Sequence, residues 1–304
     1  MKTNILYKLG IAALLAALLM LTGCKDSFLE VEPGKKMTLT EYFSTDEHIY
    51  EAVAATYHPM RLFDWNGATY NPINICSEVM TDNFWAGGAD LNDYTYWHYM
   101  EDFKADPLHT LDGIWKQCYL GVKNANDVLS YVETGKDKIT AEHQKLYTEE
   151  AMVLRAFYYC QLWKFYGYIP VYMKNLTSPY TCEQSAPDAA YDAIITSLEE
   201  AIAIGALPMQ WDDANLGRVN RATAYMLYAE MVMYQNDESR YSKALEYMRQ
   251  IINSGKFALH DNYAALWTKE GEWTKESIFE INYTDGPNGK RAYGGGVGNV
   301  GGTW

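Results

Sequence analysis

The residues from Glu149 to Met173 constrain this chain more than any others. They read Glu-Glu-Ala-Met-Val-Leu-Arg-Ala-Phe-Tyr-Tyr-Cys-Gln-Leu-Trp-Lys-Phe-Tyr-Gly-Tyr-Ile-Pro-Val-Tyr-Met. Helical spacing puts Glu150, Val153, Phe157, Cys160 and Lys164 on one face. Ala151, Leu154, Tyr158, Leu162 and Phe165 continue around it. A helix apolar on nearly all sides must be covered on nearly all sides. It starts near Thr140 and stops at Gly167, which supplies a left-handed residue, with Pro170 just beyond. Arg155 interrupts the apolar surface, and burial would demand a carboxylate or carbonyl partner for it.

Other stretches share the helical period. Residues 38–60 place Phe43, Ile49, Ala52, Val53 and Tyr57 at helical spacing, with Thr40 as the expected N-cap and Pro59 near the end. Residues 111–133 carry Leu111, Ile114, Trp115, Cys118, Tyr119, Val122, Ala125, Val128 and Leu129. Pro187 suits the first turn of a helix running to about Ile204, with Glu199-Glu200 on its solvated face. Residues 217–230 put the small Ala222, Ala224 and Ala229 where helices can approach closely. Tyr241 to Ile252 looks like the second helix of a tetratricopeptide repeat, although no fixed repeat period is visible. Ser277 to Tyr283 alternates as a strand does. The expected class is mostly α, with tetratricopeptide-like helix pairs in an α/α superhelix, long aromatic-rich loops and a few short strands.

Residues 61–110 break this pattern. Periodicity fades while Gly, Asn, Asp and aromatic residues accumulate, among them Asn83, Phe84, Trp85, Asn92, Tyr94, Tyr96 and Trp97. A loop of this length in a compact domain is usually functional. Rings interleaved with amides and carboxylates suit a sugar, whose C–H faces stack while its hydroxyls take hydrogen bonds. The alternative is that these rings anchor the loop to the core.

Composition narrows the field. The formal charge is −14, which opposes nucleic-acid binding because phosphates repel it. Aromatics make up 14%, with 26 Tyr and 9 Trp. The cysteines at 24, 76, 118, 160 and 182 form no C-x-x-C, so zinc-ribbon and redox motifs are not expected. Cys118 and Cys160 fall on apolar faces, as reduced core residues do. Gly296 to Gly301 spells G-x-G-x-x-G but neither follows a strand directly nor opens a helix, so a Rossmann reading fails. Asp90-Leu91-Asn92-Asp93 could touch Ca²⁺ but lacks the Gly and distal Glu of an EF-hand loop, and no cofactor is expected. No carboxylate pair of defined separation marks a glycosidase, and no enzyme activity is expected.

At the N-terminus, Lys2 and Lys8 precede the apolar run Leu9 to Leu21 and then Thr22-Gly23-Cys24. The run is short for a membrane span and right for a signal peptide over residues 1–23. Its end resembles the lipobox of bacterial lipoproteins, which makes Cys24 the expected lipid-attachment residue and 24–304 the mature chain.

Several ordered motifs resemble those of the SusD/RagB family of outer-membrane nutrient-binding lipoproteins. Arg155, Ala156, Phe157, Tyr158, Tyr159, Leu162, Phe165, Tyr166, Gly167 and Pro170 match its "R-A-x-x-Y-x-x-L-x-x-x-Y-G-x-x-P" signature. Cys24 to Pro33 is similar to its start, Ser77 to Asn83 to its "E-x-x-x-D" segment, and Trp115 to Asn126 to its second helix. Gly217 to Glu230 is similar to another family helix, with Arg221 in place of the usual Lys, and Ser277 to Ile281 to its strand. The resemblance spans residue 24 to about 283 and implies a SusD-like domain, incomplete at its C-terminal end. It also implies a surface-exposed, lipid-anchored protein of the Bacteroidota outer membrane. Such a protein would bind a glycan and pass it to a SusC-like TonB-dependent transporter. The ligand candidates are Asn83, Trp85, Asn92, Tyr96, Trp97, Tyr283 and Trp304. A peptide-binding RagB-like protein and a tetratricopeptide-type interaction scaffold are the alternatives.

Overall fold

The computed structural model of the chain describes residues 37–62, 73–93, 95–110 and 112–281. Cys24, Tyr283, Trp304 and the G-x-G-x-x-G run lie outside them. The chain divides into two compact units, Met1–Tyr42 and Phe43–Trp304. In the first, α1 (Leu39–Tyr42) is a single turn. Thr38 Oγ1 accepts the Glu41 N–H at 3.2 Å, and Glu41 Oε2 accepts the Thr38 N–H at 2.8 Å. The pair is a capping box.

The second unit is built from helices α2 (Asp46–Tyr57), α3 (Ile73–Glu78), α4 (Thr95–Glu101), α5 (Asp112–Gly135) and α6 (Ala141–Tyr166). A two-residue ladder of β1 (Ile169–Pro170) and β2 (Gln184–Ser185) follows. Then come α7 (Pro187–Ile204), α8 (Arg221–Gln235) and α9 (Tyr241–Asn253). Helix α5 packs on α2 and α6, α6 on α7, and α8 on α9. The pairs α5–α6 and α8–α9, joined by short connections, are neighbours in sequence and in space, while α2 meets α5 across the intervening α3 and α4. The fold is mostly α, and α6 is its buried centre.

The ends of α6 fall where residue chemistry puts them. Thr140 is extended, and its Oγ1 accepts the His143 N–H at 3.1 Å. Gly167 turns the chain out with φ +68°. Arg155 is buried among oxygens rather than a carboxylate. Its guanidinium donates to Asn126 Oδ1 at 2.7 Å, to the Met173 carbonyl at 2.8 Å and to Ser197 Oγ at 2.9 Å. One side chain thus ties α5, α7 and the segment after β1 to the central helix. Burial holds its pKa below the ordinary guanidinium value. Where α5 crosses α6, a Cβ added to Gly121 would sit 2.2 Å from the Tyr158 ring. The Tyr158 hydroxyl in turn donates to the Thr56 carbonyl of α2 at 2.6 Å.

Four expectations change. The helix expected over 38–60 is broken: Thr45, not Thr40, caps α2, accepting the His48 N–H at 3.3 Å. Phe43 leaves the helical period to stack on Tyr131 of α5 at 4.4 Å. The expected loop over 61–110 contains α3 and α4. Residues 277–281 carry the alternation of a strand but pair with none among the described residues. A strand needs a ladder partner, and here the polar groups close locally. Glu280 accepts the Trp273 N–H at 2.9 Å and the Ser277 hydroxyl, while Asn220 Nδ2 donates to the Ile278 carbonyl at 2.8 Å. Finally, Glu199 is not simply solvated. It accepts the Tyr228 hydroxyl and Arg240 Nε, both at 2.9 Å, and so joins α7 to α8 and the turn after it.

Cys118 and Cys160 are buried free thiols, as expected, and so is Cys76. Burial pushes the Cys76 and Cys160 thiols up to about 12, so these groups stay protonated.

Candidate functional site

The segment between α3 and α4 displays most of the described ligand candidates. Gly87 and Gly88 turn it with φ of +70° and +90°. Asp93 packs against Gly88, and its Oδ2 accepts the Ala89 N–H at 3.1 Å. Asp90 Oδ1 accepts the Asn92 N–H at 2.7 Å, and Thr95 Oγ1 donates to the Asn92 carbonyl at 3.2 Å. Both loop carboxylates therefore brace their own backbone. No group of three or more His, Cys, Asp or Glu among the described residues could hold a metal ion.

This brace leaves side chains facing outward. Asn83 and Asn92 are exposed. Trp85 is 73% exposed and Tyr96 37%. Ala86 N–H donates to Glu101 Oε1 at 3.3 Å, which joins the Trp85 loop to the helix that carries Tyr96. The Tyr96 ring lies 6.1 Å from His109, and Tyr99 stacks on the same imidazole at 4.3 Å. His109 is held by Asp106, 2.9 Å from its Nδ1, and this contact lowers the Asp106 pKa. Trp97 differs from its neighbours. It is only 8% exposed and belongs to the core with Cys76, Met100 and Ile114. Its face is covered, so it cannot offer a stacking platform. Adjacent positions on a helix face different ways, and Tyr96 takes the outward one. Phe84, next to Trp85, is also exposed.

A second feature is a cleft of about 630 Å³ lined by residues that include Tyr50, Tyr57, His58, Glu150, Arg218 and Phe279. Its polar groups satisfy one another. Arg218 forks onto the fully buried Glu150, Nη2 to Oε2 at 2.5 Å and Nε to Oε1 at 3.1 Å. Tyr57 donates to Glu150 Oε1 at 2.5 Å and accepts the Val219 N–H at 2.9 Å. Burial, and then the Glu150 charge, push the Tyr57 phenol well above its usual range. The guanidinium also lies over Trp211, 4.3 Å from its ring centre. The sequence shows Glu150 on a helix face and Arg218 in a motif, but nothing in it pairs them across 68 residues. Such a network joins α2 and α6 to the segment that carries Arg218.

The comparisons agree with this architecture. Residues 27–233 match the SusD-like family model described as starch-binding and associating with the outer membrane. The chain belongs to the SusD-like family. It is 22% identical over 277 residues to the SusD-like protein P25 of Formosa agariphila, covering 85% of this chain and 49% of that protein. Among solved structures, surface glycan-binding protein A of Bacteroides uniformis is 47% identical. That match has a TM-score of 0.75 and covers 79% of this chain and 53% of the other. Surface glycan-binding protein A of Bacteroides thetaiotaomicron in complex with laminarihexaose is 46% identical, with a TM-score of 0.74, covering 79% and 50%. The SusD-like chain thus spans about half the length of these relatives. No helix among its described residues is long and apolar enough to cross a membrane.

Proposed function

We propose that this SusD-like chain is part of a surface lipoprotein that captures a glucan of the laminarin type. The observation that carries this reading is its 46% identity to a surface glycan-binding protein solved with laminarihexaose. The site geometry supports it. Trp85 and Tyr96 offer rings to sugar C–H faces, and Asn83 and Asn92 offer amides to hydroxyls. Binding by stacking and hydrogen bonds needs no reacting group. Tyr283 and Trp304 remain proposed ligand residues on sequence grounds, as Cys24 remains the proposed lipid anchor. The anchor would hold the protein on the outer membrane, where it hands glycan to a SusC-like TonB-dependent transporter.

Affinity electrophoresis tests the capture step. The protein should be retarded in a native gel containing laminarin and should run normally in a gel without polysaccharide. Equal mobility in both gels, with retention on a peptide column, would replace the glycan reading by a peptide-binding one.

A further inference from the structure

Just past four of the helices the chain turns through a left-handed residue suited to the position. Gly167, Gly205, Asn236 and Gly255 have φ between +59° and +69°. The end of α4 differs. There Phe103 takes the left-handed position, with φ +54°. The turn is a full Schellman motif: Phe103 N–H donates to the Met100 carbonyl at 3.0 Å, and Lys104 N–H to the Tyr99 carbonyl at 2.7 Å. A side chain with a Cβ is disfavoured in this conformation, and glycine would avoid the strain. Burial does not compensate, because Phe103 is 77% exposed. Lys104 Nζ and Asp102 Oδ2 pair at 2.8 Å across it. Strain kept without a packing gain points to a function for the ring.

Position says which function. Phe103 lies just past the end of α4, the helix that carries Tyr96. Glu101, two residues before it, holds the Trp85 loop through the Ala86 N–H. We propose that Phe103 is a further carbohydrate-stacking residue. It lengthens the aromatic face of Trp85 and Tyr96 and fits that face to an extended glycan chain rather than a single sugar. This assignment rests on the glycan-binding reading above.

The test is isothermal titration of the wild-type, Phe103→Gly and Phe103→Tyr proteins with laminarihexaose, with the melting temperature of each measured alongside. Phe103→Gly should melt no lower than wild type, because the strain is relieved, yet bind roughly tenfold more weakly. Phe103→Tyr, which keeps a ring, should bind within about twofold of wild type. If wild type binds and Phe103→Gly binds equally well, the assignment of Phe103 fails and the glycan-binding reading stands. If wild type does not bind the hexaose, both fail. A Phe103→Gly protein that melts well below wild type would also overturn the assignment, since the ring would then serve packing.

Discussion

Arg218 lies outside the described helices and closes on Glu150 of α6, with contacts at 2.5 and 3.1 Å. Removing one partner leaves the other charge buried alone, which costs far more than the pair contributes. Arg218→Met should therefore destabilise the protein by about 3–5 kcal/mol. The double variant Arg218→Met with Glu150→Leu should recover much of that loss. Urea unfolding of wild type, both single variants and the double variant measures the coupling, and additive losses would show that the two groups do not act as a pair.

A tighter steric relationship holds α5 against α6. With 2.2 Å between an added Cβ at Gly121 and the Tyr158 ring, alanine has no room. Gly121→Ala should cost about 1–3 kcal/mol through overpacking, despite the better helix propensity of alanine. A thermal melt equal to or above wild type would contradict this.

Stability should also carry a specific acid limb. The Asp237 carboxylate accepts from Ser239, from Arg240 at 2.6 Å and from the Tyr191 hydroxyl at 2.9 Å. The Ser239 and Arg240 hydrogen bonds lead in lowering its pKa to about 2. A depressed carboxylate favours the folded state above its unfolded pKa of about 4, and that gain fades as pH falls toward the folded value. The stability difference between wild type and Asp237→Asn should be constant at neutral pH and shrink between about pH 4 and pH 2. A difference that stays flat through this range would remove Asp237 from the account.

Trp85 in the α3–α4 connection and Trp97 in α4 should behave in opposite ways. Trp97→Ala empties a core position and should cost about 3–5 kcal/mol. Trp85→Ala removes an exposed ring and should leave stability within about 0.5 kcal/mol of wild type. Matching denaturation curves for the two variants would contradict the placement of Trp97 in the core and Trp85 on the surface.

That contrast shows where residue-level reading succeeds and stops. The ends of α6 and α7 were legible because Thr140, Gly167 and Pro187 act locally, through caps and allowed dihedrals. The α2 cap was harder: Thr38, Thr40 and Thr45 all suit an N-cap, and Phe43, which lies in the break, stacks on Tyr131 of a distant helix. Thr38 and Glu41 spelled a capping box that periodicity masked. Arg155 was legible as a buried cation needing oxygens, but its partners lie 18, 29 and 42 residues away. Composition marked the 61–110 region as aromatic and amide-rich, yet could not separate the outward Tyr96 from the inward Trp97. The strand expected after Ser277 had the right alternation, and pairing is a tertiary property that alternation alone does not supply.

The central claim is that an exposed ring on this SusD-like scaffold grips a glucan. Isothermal titration of wild-type and Trp85→Ala proteins with laminarihexaose tests it most directly. The account predicts saturable binding by wild type and at least a tenfold weaker affinity in Trp85→Ala at unchanged melting temperature. Equal affinity in the two proteins would contradict the claim, and so would the absence of binding by folded wild type.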